Sequence, residues 1–495
     1  MNTLLVKKIG IDTYHENIAY MPKGCEICKS QGFHALSKIE IHWKNRSILA
    51  TLNMTENGIV PPGKIGLCPI AFERLGAKEG EEVTLSHPNP LLSTEFIRDK
   101  LDGRSLNKPQ FTRILEDVIR HRFSNIELTA FVIACSQRLN EQELRDLTEA
   151  MIETGERIDW GLPLVLDKHC IGGIPGNRTT MIVVPIVAAF GLPIPKTSSR
   201  AITSPSGTAD TMEAITRVNL TLGQMKKLVA EENACIAWGG SLYLAPADDI
   251  LISVERPLSL DSEGQMIASI LSKKKAAGST HMILDIPVGP TAKVRSQSAA
   301  RRLKKRFENI GEQIGLQVKV VFTDGTQPVG RGIGPSLEAQ DVLSVLQRDP
   351  RAPQDLKEKS IFLAGELLEL SRRVKKGDGS KIAREILESG EAWEKFQRIA
   401  KKQGPLKKIE KALFSWEVKS PVKGKVVSLH NLKIAKAAKL AGAPWDKKAG
   451  VYLHRKVGDA VKKGETLFWI FAETEEELNF AAQYAKDNPD LVSLG

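Results

Sequence analysis

The feature that most constrains the fold is an apolar strand, a glycine-rich turn and an apolar helix that follow one another near position 170. LPLVLDKH ends at His169, KHCIGGIPGN carries Gly172, Gly173 and Gly176, and RTTMIVVPIVAAFG is apolar enough for a buried helix. This order is typical of α/β sheets. Backbone N–H groups in such a turn, beside a helix N-terminus, form an anion site. Because the segment has neither GKS/T nor GxGxxG, a plain strand-to-helix turn is the alternative.

A second polar loop follows the next predicted strand. KTSSRAITSPSGTAD, residues 196–210, is rich in hydroxyl groups and carries one Arg and one Gly. Since a helix cap needs only one or two hydroxyls, we expect the others to bind a phosphate between the two loops. A third segment, residues 259–278, places Asp261, Ser269 and Lys273 on roughly one face of a predicted helix. A solvated stripe is the alternative for that face.

The first part of the chain predicts two domains. Residues 1–90 alternate short apolar and polar runs with turn residues, which predicts a small N-terminal β-barrel. Residues 91–160 have apolar side chains at helical spacing and predict an all-helical domain, completed by about 246–277. Asn125 and Asn140 stand where helix N-caps belong.

The rest of the chain predicts two further domains, so that the whole is a multidomain α/β protein. Residues 161–245 and 278–415 predict an α/β domain built on a central mixed sheet that binds phosphate. Residues 416–495 contain short strands and glycine turns, and predict a C-terminal β-rich domain of the barrel-sandwich type.

Composition narrows the classes of partner. The 495 residues carry a net charge of +11, which suits nucleic acid, nucleotide or phosphate. Aromatic residues are only 5% and show no basic–aromatic pattern, which argues against nucleic-acid binding. The longest apolar run is broken by Pro185 and Pro193, and the N-terminus has no signal-peptide core. We expect a soluble, cytoplasmic protein without a membrane partner.

The cysteines predict no metal site. Cys25 and Cys28 form the only CxxC, and no second pair supplies the further ligands of a structural zinc. A redox pair would stand at the start of a helix that follows a strand, which the Pro and Gly before Cys25 do not suggest. We therefore expect neither a metal nor a cofactor.

Taken together, these segments resemble the thymidine phosphorylase family, which includes pyrimidine nucleoside phosphorylases and archaeal AMP phosphorylases. DKHCIGG (Asp167–Gly173) is similar to the family's phosphate loop, usually DKHSTGG or DKHSIGG. SSRAITSPSGTAD resembles its signature, with Ser206 in place of the first of two glycines. LAPADD (Leu244–Asp249) and ASILSKK (Ala268–Lys274) also match. The likeness runs from about Thr94 to the end of the chain.

Within this family the chain is most similar to the AMP phosphorylase branch, which also contains bacterial proteins named only provisionally as thymidine phosphorylases. The extra N-terminal domain, the IPGN segment and the SRAITS segment carry this likeness. Thymidine phosphorylases contact the pyrimidine through a Tyr and an Arg. Here Leu251 and Ile252 replace the Tyr, and Arg256 is displaced from the Arg position. Losing groups that hydrogen-bond a base edge changes base choice, which argues against strict thymidine specificity.

The resemblance implies phosphorolysis, in which inorganic phosphate is the co-substrate and attacks C1′ of the sugar while the base departs. It implies that Lys168, the glycine-loop backbone, Ser199 and Thr208 position the phosphate. Asp261 or His169 would give the leaving base a proton or a hydrogen bond. The implied phosphate- or nucleotide-binding positions are Gly172, Gly173, Ser199, Arg200, Ala201, Ile202, Thr203, Ser204, Thr208, Ser269, Lys273 and Lys293.

We therefore expect a pentosyltransferase that converts a nucleoside 5′-monophosphate and phosphate into free base and ribose 1,5-bisphosphate. The alternative is a thymidine or pyrimidine nucleoside phosphorylase that yields a (deoxy)ribose 1-phosphate. Phosphoribosyl transfer to anthranilate, on a related fold, would need an acidic metal-binding pair that is not evident. The family implies a homodimer or a larger homo-oligomer. Cys170 stands where the family usually has Ser, and both a filler role and a functional role stay open.

Overall fold

The protein is represented by a computed structural model that describes residues 3–14, 16–56, 58–201, 204–258, 260 and 262–495. The strands of the described residues are, in chain order, β1 (Thr3–Lys8), β2 (Ile18–Pro22), β3 (Lys38–Trp43), β4 (Arg46–Thr55), β5 (Lys64–Leu67), β6 (Glu82–Ser86), β7 (Leu166–Cys170), β8 (Ile194–Ser198), β9 (Ala234–Trp238), β10 (His281–Val288), β11 (Gln317–Asp324), β12 (Gly332–Ile333), β13 (Phe414–Lys419), β14 (Gly424–Leu429), β15 (Gly450–Leu453), β16 (Ala460–Val461), β17 (Thr466–Ala472) and β18 (Val492–Leu494).

The α-helices of the same residues are α1 (Glu26–Gln31), α2 (Pro69–Leu75), α3 (Leu92–Leu101), α4 (Lys108–Ile119), α5 (Asn125–Gln137), α6 (Glu141–Glu153), α7 (Thr180–Ala189), α8 (Thr208–Glu213), α9 (Leu222–Glu232), α10 (Pro246–Leu258), α11 (Glu263–Ala276), α12 (Gln297–Gln313), α13 (Pro335–Leu346), α14 (Gln354–Leu370), α15 (Gly379–Ser389), α16 (Glu391–Gln403), α17 (Asn431–Leu440) and α18 (Glu475–Asp487). Within this described part of the chain, no helix combines the length and the apolarity needed to cross a membrane. The chain divides into two compact units, Met1–Gly155 with Ala245–Ser269, and Glu156–Leu244 with Ile270–Gly495.

The first unit begins with a closed barrel of six strands in the order β1-β5-β2-β4-β3-β6. Every second side chain of a strand points into the barrel and fills its interior. In β3, Ile39 and Ile41 are fully buried while their neighbours are partly exposed. Closure leaves no unpaired strand edge. The expected N-terminal β-barrel is therefore present.

The CxxC pair lies in this barrel, and its surroundings correct one expectation. Cys25 is the N-cap residue of α1, which follows β2, so the pair does stand at the start of a helix after a strand. Gly24, with φ 96°, makes the sharp turn between the two elements. Burial raises the pKa of the Cys28 thiol, which keeps it protonated and poorly reactive.

The rest of the first unit is helical. α10, which comes later in the chain, packs against α4 and α5. It therefore joins the group of helices formed by the residues before Gly155. Asn140 caps α6 as predicted, since its side chain accepts from the amide of Glu143 at 2.9 Å. At α5 the cap is Ser124 rather than the predicted Asn125, because the Ser124 amide pairs with the Glu127 carboxylate at 2.7 Å.

The second unit contains the α/β domain. Its strands form a three-stranded sheet, β11-β10-β7, and a pair, β8-β9, with every pairing parallel. Leu166 of β7 donates to the carbonyl of Pro193 at 2.9 Å, just before β8. The expected mixed sheet is thus wrong. Parallel strands need crossover connections, and helices supply them here. All residues from Thr180 to Ala188 of α7 are buried, as its apolar sequence predicts.

The C-terminal part of this unit has two small sheets, β12-β15-β17-β13 and β16-β14-β18. The buried faces of these strands share a core with α17 and α18. The predicted β-rich end domain is thus present but contains two helices. The barrel-sandwich assignment stays a prediction.

Candidate active site

The parallel arrangement brings the ends of several strands to one edge of the α/β domain. β7 ends at Cys170, and its parallel neighbour β10 ends at Val288. β8 runs parallel with β9 and ends at Ser198. Ligands of open α/β sheets bind beyond the carboxyl ends of the strands. The glycine turn and the hydroxyl-rich loop both begin there.

The glycine turn is built for close backbone approach. Gly172 and Gly173 have φ of 89° and 91°, which side chains rarely adopt. A Cβ at Gly173 would lie 2.3 Å from the backbone nitrogen of Lys293, in the loop after β10. A Cβ at Gly176 would lie 2.2 Å from the carbonyl oxygen of Val329. The structure therefore brings the predicted positions Gly173 and Lys293 together.

Cys170 holds this turn from inside. Its Sγ accepts hydrogen bonds from the Gly172 amide at 3.5 Å and from Asn177 Nδ2 at 3.2 Å. Burial, with a contribution from Asp285, raises the pKa of the Cys170 thiol. Asn177 is buried, and its Oδ1 has no hydrogen-bond partner within the described residues. Cys170 is thus a neutral acceptor that organises the turn, which supports the functional alternative over the filler.

Lys168 precedes the turn on β7 and is 1% exposed. Its Nζ donates to Thr179 Oγ1 at 2.8 Å and to Thr180 Oγ1 at 3.4 Å. Burial lowers the pKa of Lys168, while the nearby groups of Cys170 and Asp285 oppose this. Sequence reasoning missed Thr179 and Thr180. The polar RTT triplet directly before an apolar helix was the available clue.

The imidazole of His169 lies in strongly cationic surroundings. Burial first, and then the positive charges of Lys274, Lys196, Lys168 and Lys273, hold the pKa of His169 well below its ordinary value. The ring is therefore neutral at pH 7. A neutral imidazole offers one donor and one acceptor, so it can hydrogen-bond a leaving base without carrying charge.

A buried charge cluster lies beside β7. Lys196 and Lys274 each pair with Asp167 at 2.8 Å, and Lys274 also donates to the carbonyl of Thr197 at 3.2 Å. Burial alone would raise the pKa of Asp167, but the two lysines lower it below its ordinary value. Burial lowers the pKa of Lys196. Two cations share one carboxylate, so the cluster favours an anion nearby.

Asp210 closes the second loop. Its carboxylate accepts from the Ala201 amide at 2.6 Å and from the Gly207 amide at 2.9 Å. A Cβ at Gly207 would lie 2.8 Å from the carbonyl oxygen of Ser199, so the loop ends meet closely. Ser204 donates to the carbonyl of Ser206 at 2.8 Å.

Arg200 fixes the base of the same loop. Its guanidinium pairs with both carboxylate oxygens of Glu213, at 2.7 and 2.8 Å. Its Cζ lies 5.0 Å from the ring centre of Trp238. Lys447, from the C-terminal part of the unit, also pairs with Glu213 at 3.2 Å. A bidentate pair of this kind fixes geometry as well as charge.

Arg178 connects the two loops. Its Nη2 donates to the Gly176 carbonyl at 2.8 Å, and its Nη1 donates to Thr208 Oγ1 at 3.2 Å. Its Nε lies 2.6 Å from a carboxylate oxygen of Glu338 on α13. Burial raises the pKa of Glu338 to about 7, although Arg178 opposes this rise. Arg178 and Glu338 both lie outside the motifs that predict the site from the sequence.

Four predicted site residues are described separately. Ile202, Thr203 and Asp261 lie outside the described residues, so the role of Asp261 stays a prediction. Ser269 lies in the first unit, where its hydroxyl donates to Asp248 at 2.8 Å. Among the described residues, no three His, Cys, Asp or Glu side chains gather as metal ligands.

Family models match most of the chain. Residues 94–155 match the helical bundle domain of a glycosyl transferase family, and residues 162–393 match the α/β domain of that family. Residues 425–491 match the pyrimidine nucleoside phosphorylase C-terminal domain.

Bacterial relatives are similar to the chain over nearly its whole length. A protein named "Putative thymidine phosphorylase" from Legionella pneumophila (strain Corby) is 52% identical, covering 99% of this chain and 95% of the relative. Proteins of the same name from Polaromonas sp. and Hahella chejuensis are 49% and 48% identical, and cover 99% and 100% of this chain. These alignments span 96% and 98% of those two relatives.

Solved structures share the fold, among them an anthranilate phosphoribosyltransferase. The anthranilate phosphoribosyltransferase of Thermus thermophilus superimposes with a TM-score of 0.53 at 18% identity. The match covers 62% of this chain and 98% of that chain. At this identity the likeness concerns the fold alone.

Proposed function

The chain belongs to the pyrimidine nucleoside phosphorylase family of glycosyl transferases, and from this premise we propose that its substrate is a nucleoside 5′-monophosphate. The enzyme is a pentosyltransferase that acts by phosphorolysis. In the proposed reaction inorganic phosphate attacks C1′, the C1′–N bond breaks, and the products are free base and ribose 1,5-bisphosphate. Inorganic phosphate is the co-substrate, and no cofactor takes part.

The observation that carries the proposal is the pair of donor loops at one strand edge. Arg178 joins the glycine turn, at Gly176, to the second loop, at Thr208, and buried lysines lie on and beside the strand that leads into the turn. Oriented backbone and side-chain donors that are fixed in advance stabilise an anion without reorganisation. Holding phosphate at the reacting carbon replaces a bimolecular encounter.

Each group then has a role in the proposed mechanism. Lys168, Thr179 and the turn amides would hold the phosphate, and Thr208 would approach it from the second loop. Neutral His169 would hydrogen-bond the leaving base. Asp261 would supply its proton, as the family resemblance implies. The transition state is oxocarbenium-like, so positioning carries most of the catalysis.

Two features support the AMP phosphorylase branch and with it a nucleoside 5′-monophosphate. The first is the sequence resemblance of the extra N-terminal domain to that branch, and this domain folds as a closed barrel. The pyrimidine-contacting Tyr of thymidine phosphorylases is replaced by Leu251 and Ile252 in α10, and Leu251 is buried. Apolar side chains cannot replace hydrogen bonds to a base edge.

Thymidine or pyrimidine nucleoside phosphorolysis is the second candidate. It is favoured by the relatives named "Putative thymidine phosphorylase", which match over nearly the full chain. In that case the product is a (deoxy)ribose 1-phosphate.

Chromatography of a substrate panel separates the two candidates. AMP, CMP, UMP, thymidine and uridine are each incubated with the enzyme, with and without phosphate, and free base is quantified. We expect base from a nucleotide only when phosphate is present, and a Lys168→Met variant serves as the inactive control. Cleavage of thymidine or uridine with no cleavage of any nucleotide would reject the first candidate.

A further inference from the structure

Glu338 is a buried carboxylate that contacts the first residue after each of the two loops of the candidate site, Arg178 and Thr211. It lies in the first turn of α13 and is 1% exposed. One oxygen lies 2.6 Å from Arg178 Nε and accepts from Thr211 Oγ1 at 3.2 Å. The other accepts from the amide of Gly334 at 3.1 Å. A buried charge is tolerated only with this degree of pairing.

The Arg178 side of this carboxylate leads to the glycine turn. Arg178 donates to the Gly176 carbonyl through Nε at 3.0 Å and through Nη2 at 2.8 Å. Its Nη1 donates to Thr208 Oγ1 at 3.2 Å, at the end of the second loop. Glu338 therefore fixes the guanidinium that bonds to both loops at once.

The Thr211 side leads to the second loop by an independent path. The hydroxyls of Thr211 and Ser206 lie 2.8 Å apart, and both residues are fully buried. Ser206 occupies the position of the first glycine in the signature that this loop resembles. A glycine has no side chain with which to make this bond, so this chain carries a link that the usual pattern lacks.

We propose that Glu338 is a positioning residue that holds the two phosphate-binding loops in register, through Arg178 on one side and through Thr211 and Ser206 on the other. The inference rests on the proposed function, because it assumes that the loops bind phosphate. Glu338 acts on the loops through these side chains. Its removal takes the carboxylate away from Arg178 Nε and from the Thr211 hydroxyl. Arg178 then keeps its bonds to Gly176 and Thr208. Thr211 keeps its bonds to Gly207 and Ser206, and the two loops lose their common anchor.

The test compares Glu338→Gln with Asp341→Asn, a matched control on the same helix. Asp341 is also buried and accepts from the amides of Arg331 and Gly332, at 2.6 and 2.7 Å, but these bonds go to neither loop. Binding of inorganic phosphate is measured by titration calorimetry at pH 8. We expect Glu338→Gln to bind phosphate at least roughly tenfold more weakly, and Asp341→Asn to stay within about twofold of the parent.

A second variant addresses the Ser206 path. Ser206→Ala is expected to weaken phosphate binding by about two- to fivefold in the parent and to have no further effect in the Glu338→Gln background. Steady-state kinetics should show a raised KM for phosphate with a smaller change in kcat. Thermal melting of each variant checks that it is folded.

The outcomes separate this inference from the proposed function. If the parent binds phosphate and Glu338→Gln binds it equally or more tightly, Glu338 is not a positioning residue. If Glu338→Gln and Asp341→Asn lower affinity alike, the effect is general to α13 and the inference is also wrong. If the parent itself binds no phosphate, the proposed function fails first, and the inference with it.

Discussion

At the scale of single residues, Cys170 shows how a changed side chain can keep a role in altered form. The family usually has a serine hydroxyl here, which can donate to a ligand. In this chain the sulfur accepts from the Gly172 amide and from the Asn177 side chain. The thiol thereby stabilises the turn at which the phosphate is proposed to bind.

Two substitutions at Cys170 test this role. Cys170→Ser keeps an acceptor, so the KM for phosphate should stay within about threefold of the parent. Cys170→Ala removes the acceptor from a buried amide side chain, so that KM should rise roughly tenfold. Initial rates at varied phosphate give both values. An alanine variant with an unchanged KM would make Cys170 a filler.

The neutrality of His169 is a second residue-scale prediction. Since burial and four lysines hold its pKa well below the ordinary value, its ring should not titrate between about pH 6 and pH 8. NMR of ring-labelled histidine, with His169→Gln used for assignment, measures this directly. A titration midpoint near the ordinary histidine pKa would contradict this prediction. His169 could then act as a cationic acid near neutral pH.

The sequence predicted site residues that carry their chemistry in a local motif. One stretch of six residues contains Lys168, Gly172 and Gly173, so the sequence itself indicates that they belong to one motif. Arg178 and Glu338, which form an ion pair, are 160 positions apart in the sequence. The residues around either one do not indicate that the other is its partner. Their partnership exists only because α13 packs near α7 and α8.

At the scale of elements, the glycine turn packs directly against the loop after β10. Gly172 and Gly173 have nearly the same φ, but a Cβ at Gly172 meets nothing within 4 Å, whereas one at Gly173 would collide with the Lys293 backbone. The two positions therefore separate backbone strain from steric collision.

Alanine at each glycine tests this dependence. Gly172→Ala should cost about 1–2 kcal/mol of stability from strain alone and keep measurable activity. Gly173→Ala should also displace the loop of Lys293, and lower kcat/KM by about 100-fold or more. Melting temperatures and steady-state rates measure both effects. Equal losses of activity in the two variants would show that the contact with Lys293 has no catalytic importance.

The raised pKa of Glu338, on α13, predicts that the stability of the protein depends on pH. Burial raises the pKa of Glu338 to about 7 from 4.5, with Arg178 opposing and Asp341 adding to the rise. Between these values the folded protein holds a proton that the unfolded chain releases, so this group's contribution to stability grows as pH falls from about 7 to 4.5.

Glu338→Gln removes that contribution. The parent should gain more in melting temperature than the variant when both are moved from about pH 8 to about pH 5. Asp341, whose pKa burial raises to about 6, is present in both proteins, so the difference between the two profiles reports Glu338 together with its interaction with Asp341. Parallel pH profiles for the two proteins would contradict the assignment.

Periodicity predicted several elements of the α/β domain well and failed where tertiary pairing decides. The segments of β10, β11 and α12 agree with the structure, because their apolar spacing is unambiguous. The mixed sheet was wrong because strand direction is set by crossovers and leaves no mark in the strand itself. α17 was missed, since its alternating lysines and alanines were taken as part of a β-rich end.

At the scale of the whole molecule, the net charge of +11 includes positive charges that are buried rather than spread over the surface. Lys168, Lys196 and Lys274 are nearly fully buried, and they lie on or beside β7. Composition alone predicted an anionic partner but not where its charge would be balanced. The local motifs predict the place, and the structure shows that Lys196 and Lys274 both pair there with Asp167.

The central claim, phosphorolysis of a nucleotide, is tested most directly by following the phosphate. The enzyme is incubated with AMP and radiolabelled inorganic phosphate, and both adenine and labelled sugar phosphate are quantified. We predict that label enters an organic phosphate in proportion to the adenine released, and that no adenine forms without phosphate. Adenine released while the label stays in inorganic phosphate would mean hydrolysis. No release from AMP, with labelled sugar phosphate formed from thymidine, would assign the enzyme to nucleosides instead.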